Sequence, residues 1–173
     1  MPDYEMLRFD EMFFEAEGLI KERQVAQAVS LLEAIIEEQP DYGKAHNHLA
    51  WLYEHEYKEF SRSEKHYKAA LSFSPTYPST YLNYCHLLSR LGKLDKLEKL
   101  LAKAKQIIGI KQSEVYHEYG ILNEMKGDYL SAANYYQEAI LNSLNNPDIA
   151  IYQAALERCL LKYELTQPGN SEE

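Results

Sequence analysis

The sequence predicts an all-α protein of stacked antiparallel helix pairs, and three observations carry that prediction. The first is a period. Four segments align, "QAVSLLEAIIEEQP" ending at Pro40, "RSEKHYKAALSFSP" ending at Pro75, "DKLEKLLAKAKQIIG" ending at Gly109 and "LSAANYYQEAILNSL" ending at Leu144, with their ends 35, 34 and 35 residues apart. The second is that another amphipathic stretch precedes each of them: "EMFFEAEGLIKE", "AHNHLAWLYEHE", "TYLNYCHLLSRL" and "VYHEYGILNEMK". In all eight stretches apolar and small residues recur at three- and four-residue steps, the period of a helix and not the alternation of a strand. The third is where the breakers fall: "QPDYG" at 39–43, "SPTYPS" at 74–79, "LGKLD" at 91–95, "KGDY" at 126–129 and "NNPD" at 145–148. Proline and glycine end one helix there and turn the chain into the next.

Taken in order, the elements are four helix pairs spanning about 9–42, 43–77, 78–111 and 113–146. One helix pair cannot bury its own apolar face, so neighbouring pairs must stack. Residues 148–164, "DIAIYQAALERCLLKYE", read as one more amphipathic helix, whose expected role is to cap the apolar side of the last pair. Residues 1–165 are thus expected to form a single domain, followed by a disordered tail at 166–173, "TQPGNSEE".

The pattern resembles the tetratricopeptide repeat family. The fourth repeat carries the resemblance most fully, with Tyr116, Tyr119, Gly120, the "GDY" turn at Gly127 to Tyr129, Ala132, Tyr136 and Ala139 where that family places large, small and turn residues. The third keeps Tyr81, Tyr84, Cys85, Leu88, Gly92, Leu101 and Ala104, with Leu97 for the usual small residue and Gly109 for the closing proline. In the second, Leu49, Ala50, Tyr53, Ser63, Tyr67, Ala70 and Pro75 fit with one extra residue in the turn "EYKEF". The first keeps Ala16, Leu19, Ala28, Leu32, Ile35 and Pro40. Small residues at such positions let two helix backbones approach, and the large ones fill the space beside them.

What the resemblance implies is a right-handed superhelical solenoid with a C-terminal capping helix, whose leading helices line a concave groove. Carried over position by position, the groove residues are Phe13, Glu17 and Ile20, then Asn47, Trp51 and Glu54, then Leu82, His86 and Ser89, then His117, Ile121 and Glu124. Lys21, His55, Arg90 and Met125 border them. Trp51 stands out as an anchor for a partner, because aromatic residues dominate binding hot spots. Phe13, Leu82 and Ile121 mixed with Glu17, Glu54 and Glu124 would suit an amphipathic, somewhat basic peptide or helix. The lysine, asparagine and arginine cluster with which some members bind acidic chaperone tails looks absent: the matching places hold Phe13, Glu17, His48, Ser79 and Asn83.

Composition bounds the remaining options. With 46% hydrophobic and 26% charged residues, a packed soluble chain is expected. A formal charge of −9 argues against nucleic acid and against anionic membrane surfaces, since both are bound through lysine and arginine. Residues 90–111 hold 7 basic against 2 acidic residues, a basic band read as a solvated helix face. Two cysteines, Cys85 and Cys159, are too few for a disulfide framework and read as buried thiols of a cytoplasmic protein. The N-terminus "MPDYEMLRFDEMFF" lacks the basic start and apolar run of a secretory signal, and no stretch reaches the ~20 apolar residues of a membrane span.

The stretch "AHNHLAWLYEHEY", 45–57, invites a metal reading. Helical geometry opposes it, since His48 and His55 share a face but lie roughly 10 Å apart along the axis. His46 points toward Leu49, Ala50 and Tyr53 and reads as a packed histidine. The pairs His55-Glu56 and His117-Glu118 lack the second histidine of a zinc-hydrolase signature, its places being held by Glu59 and Ile121. No nucleophile elbow, paired-cysteine motif or phosphate-binding glycine loop occurs. The reading is therefore a non-catalytic adaptor, scaffold or chaperone-like module without cofactor or metal, binding a protein or peptide. A self-associating structural subunit is the alternative.

Overall fold

A computed structural model describes residues 4–167. All regular elements among them are α-helices: α1 (Tyr4–Lys21), α2 (Val25–Glu38), α3 (Gly43–His55), α4 (Phe60–Phe73), α5 (Pro78–Arg90), α6 (Leu94–Ala104), α7 (Gln112–Met125), α8 (Tyr129–Leu141) and α9 (Asn146–Thr166). α1 begins earlier than the repeat pattern placed it. α9 runs two residues beyond the expected cap at each end, so Thr166 is helical, while residues 168–173 of the expected tail lie outside the described residues.

The turn inside each pair is built the same way four times. A left-handed residue occupies it, Arg23 (φ 61°), Lys58 (φ 58°), Gly92 (φ 64°) and Gly127 (φ 80°), at successive spacings of 35, 34 and 35. Only glycine adopts this conformation freely, so the two long side chains hold it against a steric cost of ~1–2 kcal/mol each. In three of the turns the next N–H closes on the carbonyl five residues back: Gln24 to Leu19 at 2.8 Å, Lys93 to Leu88 at 2.9 Å and Asp128 to Asn123 at 3.0 Å. In the second repeat Glu59 N–H reaches six back, to Tyr53, at 2.8 Å. That wider closure is the extra residue in "EYKEF".

The chain divides into two compact units, residues up to Leu87 and from Leu88 onward. In the first, α1, α2 and α3 enclose a core of Phe9, Phe13, Ala16, Ala28, Leu32, Ile35, Leu49 and Leu52, and α4 packs on α3 through the fully buried Tyr67 and Ala70. In the second, α6 packs on α7, α7 on α8 and α8 on α9. Ala132, Ala133, Tyr136, Ala155 and Cys159 form the cluster between the last two. α7 and α8 approach most closely at Gly120, where an added Cβ would overlap the Tyr136 ring.

The tyrosines explain how so acidic a chain packs. Five buried ones each donate their hydroxyl to a carboxylate on another helix: Tyr42 to Asp10 (2.5 Å), Tyr53 to Glu33 (2.6 Å), Tyr67 to Glu54 (3.1 Å), Tyr84 to Glu64 (3.2 Å) and Tyr136 to Glu124 (2.8 Å). A buried hydroxyl needs a hydrogen-bond partner, and in each of these pairs that need ties one segment of the chain to another helix.

Candidate functional site

In the first unit the leading helices α1, α3 and α5 leave a cleft of about 400 Å³, lined by Glu17 and Ile20, by Asn47, His48 and Trp51, and by Tyr77, Ser79 and Asn83. Its polar wall is pre-arranged. Asn83 Nδ2 donates to Asn47 Oδ1 at 3.3 Å, and Glu17 Oε1 lies 3.3 Å from His48 Nε2. His48 Nδ1 is 3.0 Å from the Lys44 carbonyl, and its ring stands edge-on to Phe13, centroids 4.8 Å apart. Burial holds His48 below its ordinary pKa, against the pull of the Lys44 carbonyl and the Glu17 carboxylate.

Trp51 and Ile20 form the ridge between this cleft and a second one of about 470 Å³, lined also by Lys21, Arg23, Val25, Leu52 and Glu56. The indole is half-buried. It packs on the α1–α3 core and stacks on His55, centroids 4.6 Å apart at 20°. Lys21, Arg23 and Glu56 are exposed and enter no ion pair among the described residues. The surface thus offers an apolar anchor, a carboxamide pair able to meet a peptide main chain, and charges of both signs.

Among the described residues no three His, Cys, Asp or Glu side chains converge as a metal site, and no helix is long and apolar enough to cross a membrane. No family model matches the sequence, and no curated protein does. Solved structures do match. PilF of Pseudomonas aeruginosa superposes with a TM-score of 0.75 at 21% identity, over 95% of this chain and 78% of that one. PilW, a widely conserved type IV pilus biogenesis factor, gives 0.74 at 17% identity over 91% and 76% of the two chains. TTC0263, a thermophilic TPR protein of Thermus thermophilus, gives 0.68 at 20% identity over 84% and 80%. The chain has a tetratricopeptide-repeat fold.

Within that fold eleven of the residues expected to line or border the groove separate into three groups. Glu17, Asn47 and Trp51 meet at the clefts. His86 and Arg90 are exposed on α5. Of the other six, Phe13, Leu82 and Glu54 are buried, and His117, Ile121 and Glu124 are half-buried. Phe13 is 4% exposed and sits in the core against Tyr42, and Leu82 is 8% exposed. Glu54 is fully buried beneath the Tyr67 hydroxyl. His117 lies against the rings of Tyr136 and Tyr152, and Ile121 packs on the α8–α9 cluster.

Glu124 is held by α9: Arg158 grips both its oxygens at 2.8 and 2.7 Å, Lys162 adds a third contact at 2.8 Å, and Tyr136 a fourth. The Arg158 hydrogen bonds outweigh desolvation and keep this carboxyl well below the usual range. Two of the three carboxylates that would select a basic partner are therefore committed inside the TPR fold. Of the residues that complete the cleft, Ser79 and Asn83 entered the sequence reading only as places where the chaperone-tail cluster is missing, and Tyr77 was not among the groove positions. Tyr77 and Ser79 belong to the "SPTYPS" breaker, so their composition marked a turn and not a binding wall.

Proposed function

We propose that this chain is a non-catalytic protein-binding module that holds a peptide or helix of its partner at the Trp51 ridge of the first unit. The observation that carries the reading is one indole shared by two open clefts, with Asn47 and Asn83 beside it. A half-buried tryptophan already packed on a core loses little freedom on binding, which suits it to the role of anchor. In this reading a large apolar side chain of the partner seats against Trp51 and Ile20, and its main chain pairs with the carboxamides. Its charged residues address Glu17 on one side and Lys21 and Arg23 on the other, so the preferred partner is amphipathic with both signs of charge. The TPR fold supports a role in binding protein, and the neighbour PilW, named as a pilus biogenesis factor, is of that fold.

The chain contains a single tryptophan, so its emission reports on this site alone. Peptides selected from a random display library on the purified protein are expected to shift and quench that emission. They are expected to bind Trp51→Ala and Asn83→Ala at least ~30-fold more weakly than wild type, the size of one hot-spot contact, with helical circular dichroism unchanged. Peptides that bind with unaltered emission and equal affinity for both variants would place recognition elsewhere.

A further inference from the structure

α9 is apolar on two opposite sides. One side buries Tyr152 against His117 of α7 and carries Ala155 and Cys159 into the cluster with α8. The other carries Ile151, Ala154, Leu161 and Leu165, with Ile151 57%, Leu161 58% and Leu165 70% exposed. Together with Arg158 these residues step by three, four, three and four, the spacing of a coiled-coil seam. A cap that ended the stack would turn a polar outer face to water, whereas this helix turns an apolar stripe outward.

The pattern is self-complementary. Lay a second α9 antiparallel across the first, with the two-fold axis between positions 157 and 158. Ala154 then faces Leu161 of the second copy, a small residue against a large one, and Ile151 lies opposite Glu164 with Leu165 of the second copy one residue further along. Glu157 meets Arg158 of the second copy, and the symmetry forms that ion pair twice. Both groups are available for it. Glu157 enters no ion pair among the described residues, and Arg158 uses only Nε and Nη2 on Glu124, leaving Nη1.

We infer that the outer face of α9 is a homodimer interface, closed by an antiparallel pairing of α9 with its copy in a second chain. This goes beyond the role proposed for the Trp51 ridge, which belongs to the other unit. Two chains of charge −9 repel at long range, so the dimer should tighten as salt screens that repulsion while the apolar seam is unaffected.

Sedimentation velocity of the full chain over a concentration series from about 1 to 200 μM, at low and physiological salt, tests the inference. The expected result is a monomer–dimer equilibrium favoured by salt. Leu161→Asp should weaken it at least ~100-fold, because the two-fold puts each substitution into the interface twice. Glu157→Gln should weaken it less. Circular dichroism should leave the helix content of both variants unchanged, since neither side chain is buried within the chain. A chain that stays monomeric throughout, or a dimer indifferent to Leu161→Asp, would overturn the inference.

Discussion

Gly120→Ala sets two opposing effects against each other at a place where the geometry decides between them. In a helix interior alanine is favoured over glycine by about 1 kcal/mol. Against that gain, the new Cβ would overlap the ring of Tyr136. The ring cannot swing away: Tyr136 is fully buried, and its hydroxyl is fixed at 2.8 Å to Glu124, itself gripped by Arg158 and Lys162. The helices must therefore part, at an overpacking cost of ~1–3 kcal/mol, and any ring shift also weakens a charge-assisted hydrogen bond worth ~1.5–3 kcal/mol. The net expectation is a loss of about 2 kcal/mol, which lowers the melting temperature of a chain this size by roughly 4–8 °C. Gly18→Ala is the matched control. It makes the same chemical change within α1 at a site where an added Cβ meets nothing within 4 Å, and it should stabilise by ~0.5–1 kcal/mol. Thermal and urea unfolding followed by circular dichroism read both. If Gly120→Ala raised the midpoint as Gly18→Ala does, the close α7–α8 approach would not exist in solution.

Two titratable groups, Glu118 buried and His66 half-buried, give opposite pH signatures. Glu118, 2% exposed, has its pKa raised to about 8, by burial first and by the Glu114 charge, with a Ser89 hydrogen bond opposing. Because the folded value exceeds the ordinary 4.5, the folded chain holds this proton more tightly, so stability is full below pH 4.5 and is lost as pH rises toward 8. Glu118→Gln should remove the loss, becoming more stable than wild type by roughly 2–4 kcal/mol at pH 8 and by far less at pH 5; an equal difference at both values in thermal denaturation would refute the assignment. His66 is lowered to about 4, by burial first, then by His46 and Arg62. The unfolded chain then takes the proton first, so stability is full above pH 6.5 and falls as pH drops from 6.5 to 4. Allowing for its exposed edge, wild type should lose roughly 1–2 kcal/mol more than His66→Phe between pH 7 and 4.5, read by urea unfolding, and parallel curves would count against it.

The period was legible because stacking imposes it on the residues that pack. Ala28, Ala70, Ala132 and Ala139 are fully buried where the pattern requires small side chains, and Gly92 and Gly127 announce their turns by composition. The first two intra-pair turns were silent for a physical reason. Arg23 and Lys58 hold the same left-handed conformation without being glycine, so only the period, and the extra residue in "EYKEF", betrayed them.

The candidate site was less legible, and the reason is specific. A groove position in a repeat says which way a side chain points from its own helix, not whether another residue covers it. Glu54 and Trp51 lie one turn apart on α3, yet Tyr67 reaches over the first while the second stands between two clefts. Glu124 occupies a groove position in the last repeat, and α9 arrives from 34 residues further along the chain to close on it. A carboxylate on a leading helix is therefore a candidate for binding only where no tyrosine or arginine lies within reach, and in a chain with fifteen tyrosines that condition is rarely met. Glu17 escapes it in part, since its neighbour is a histidine whose own burial keeps the proton off. That is the reason for placing the proposed site at Glu17, Asn47 and Trp51.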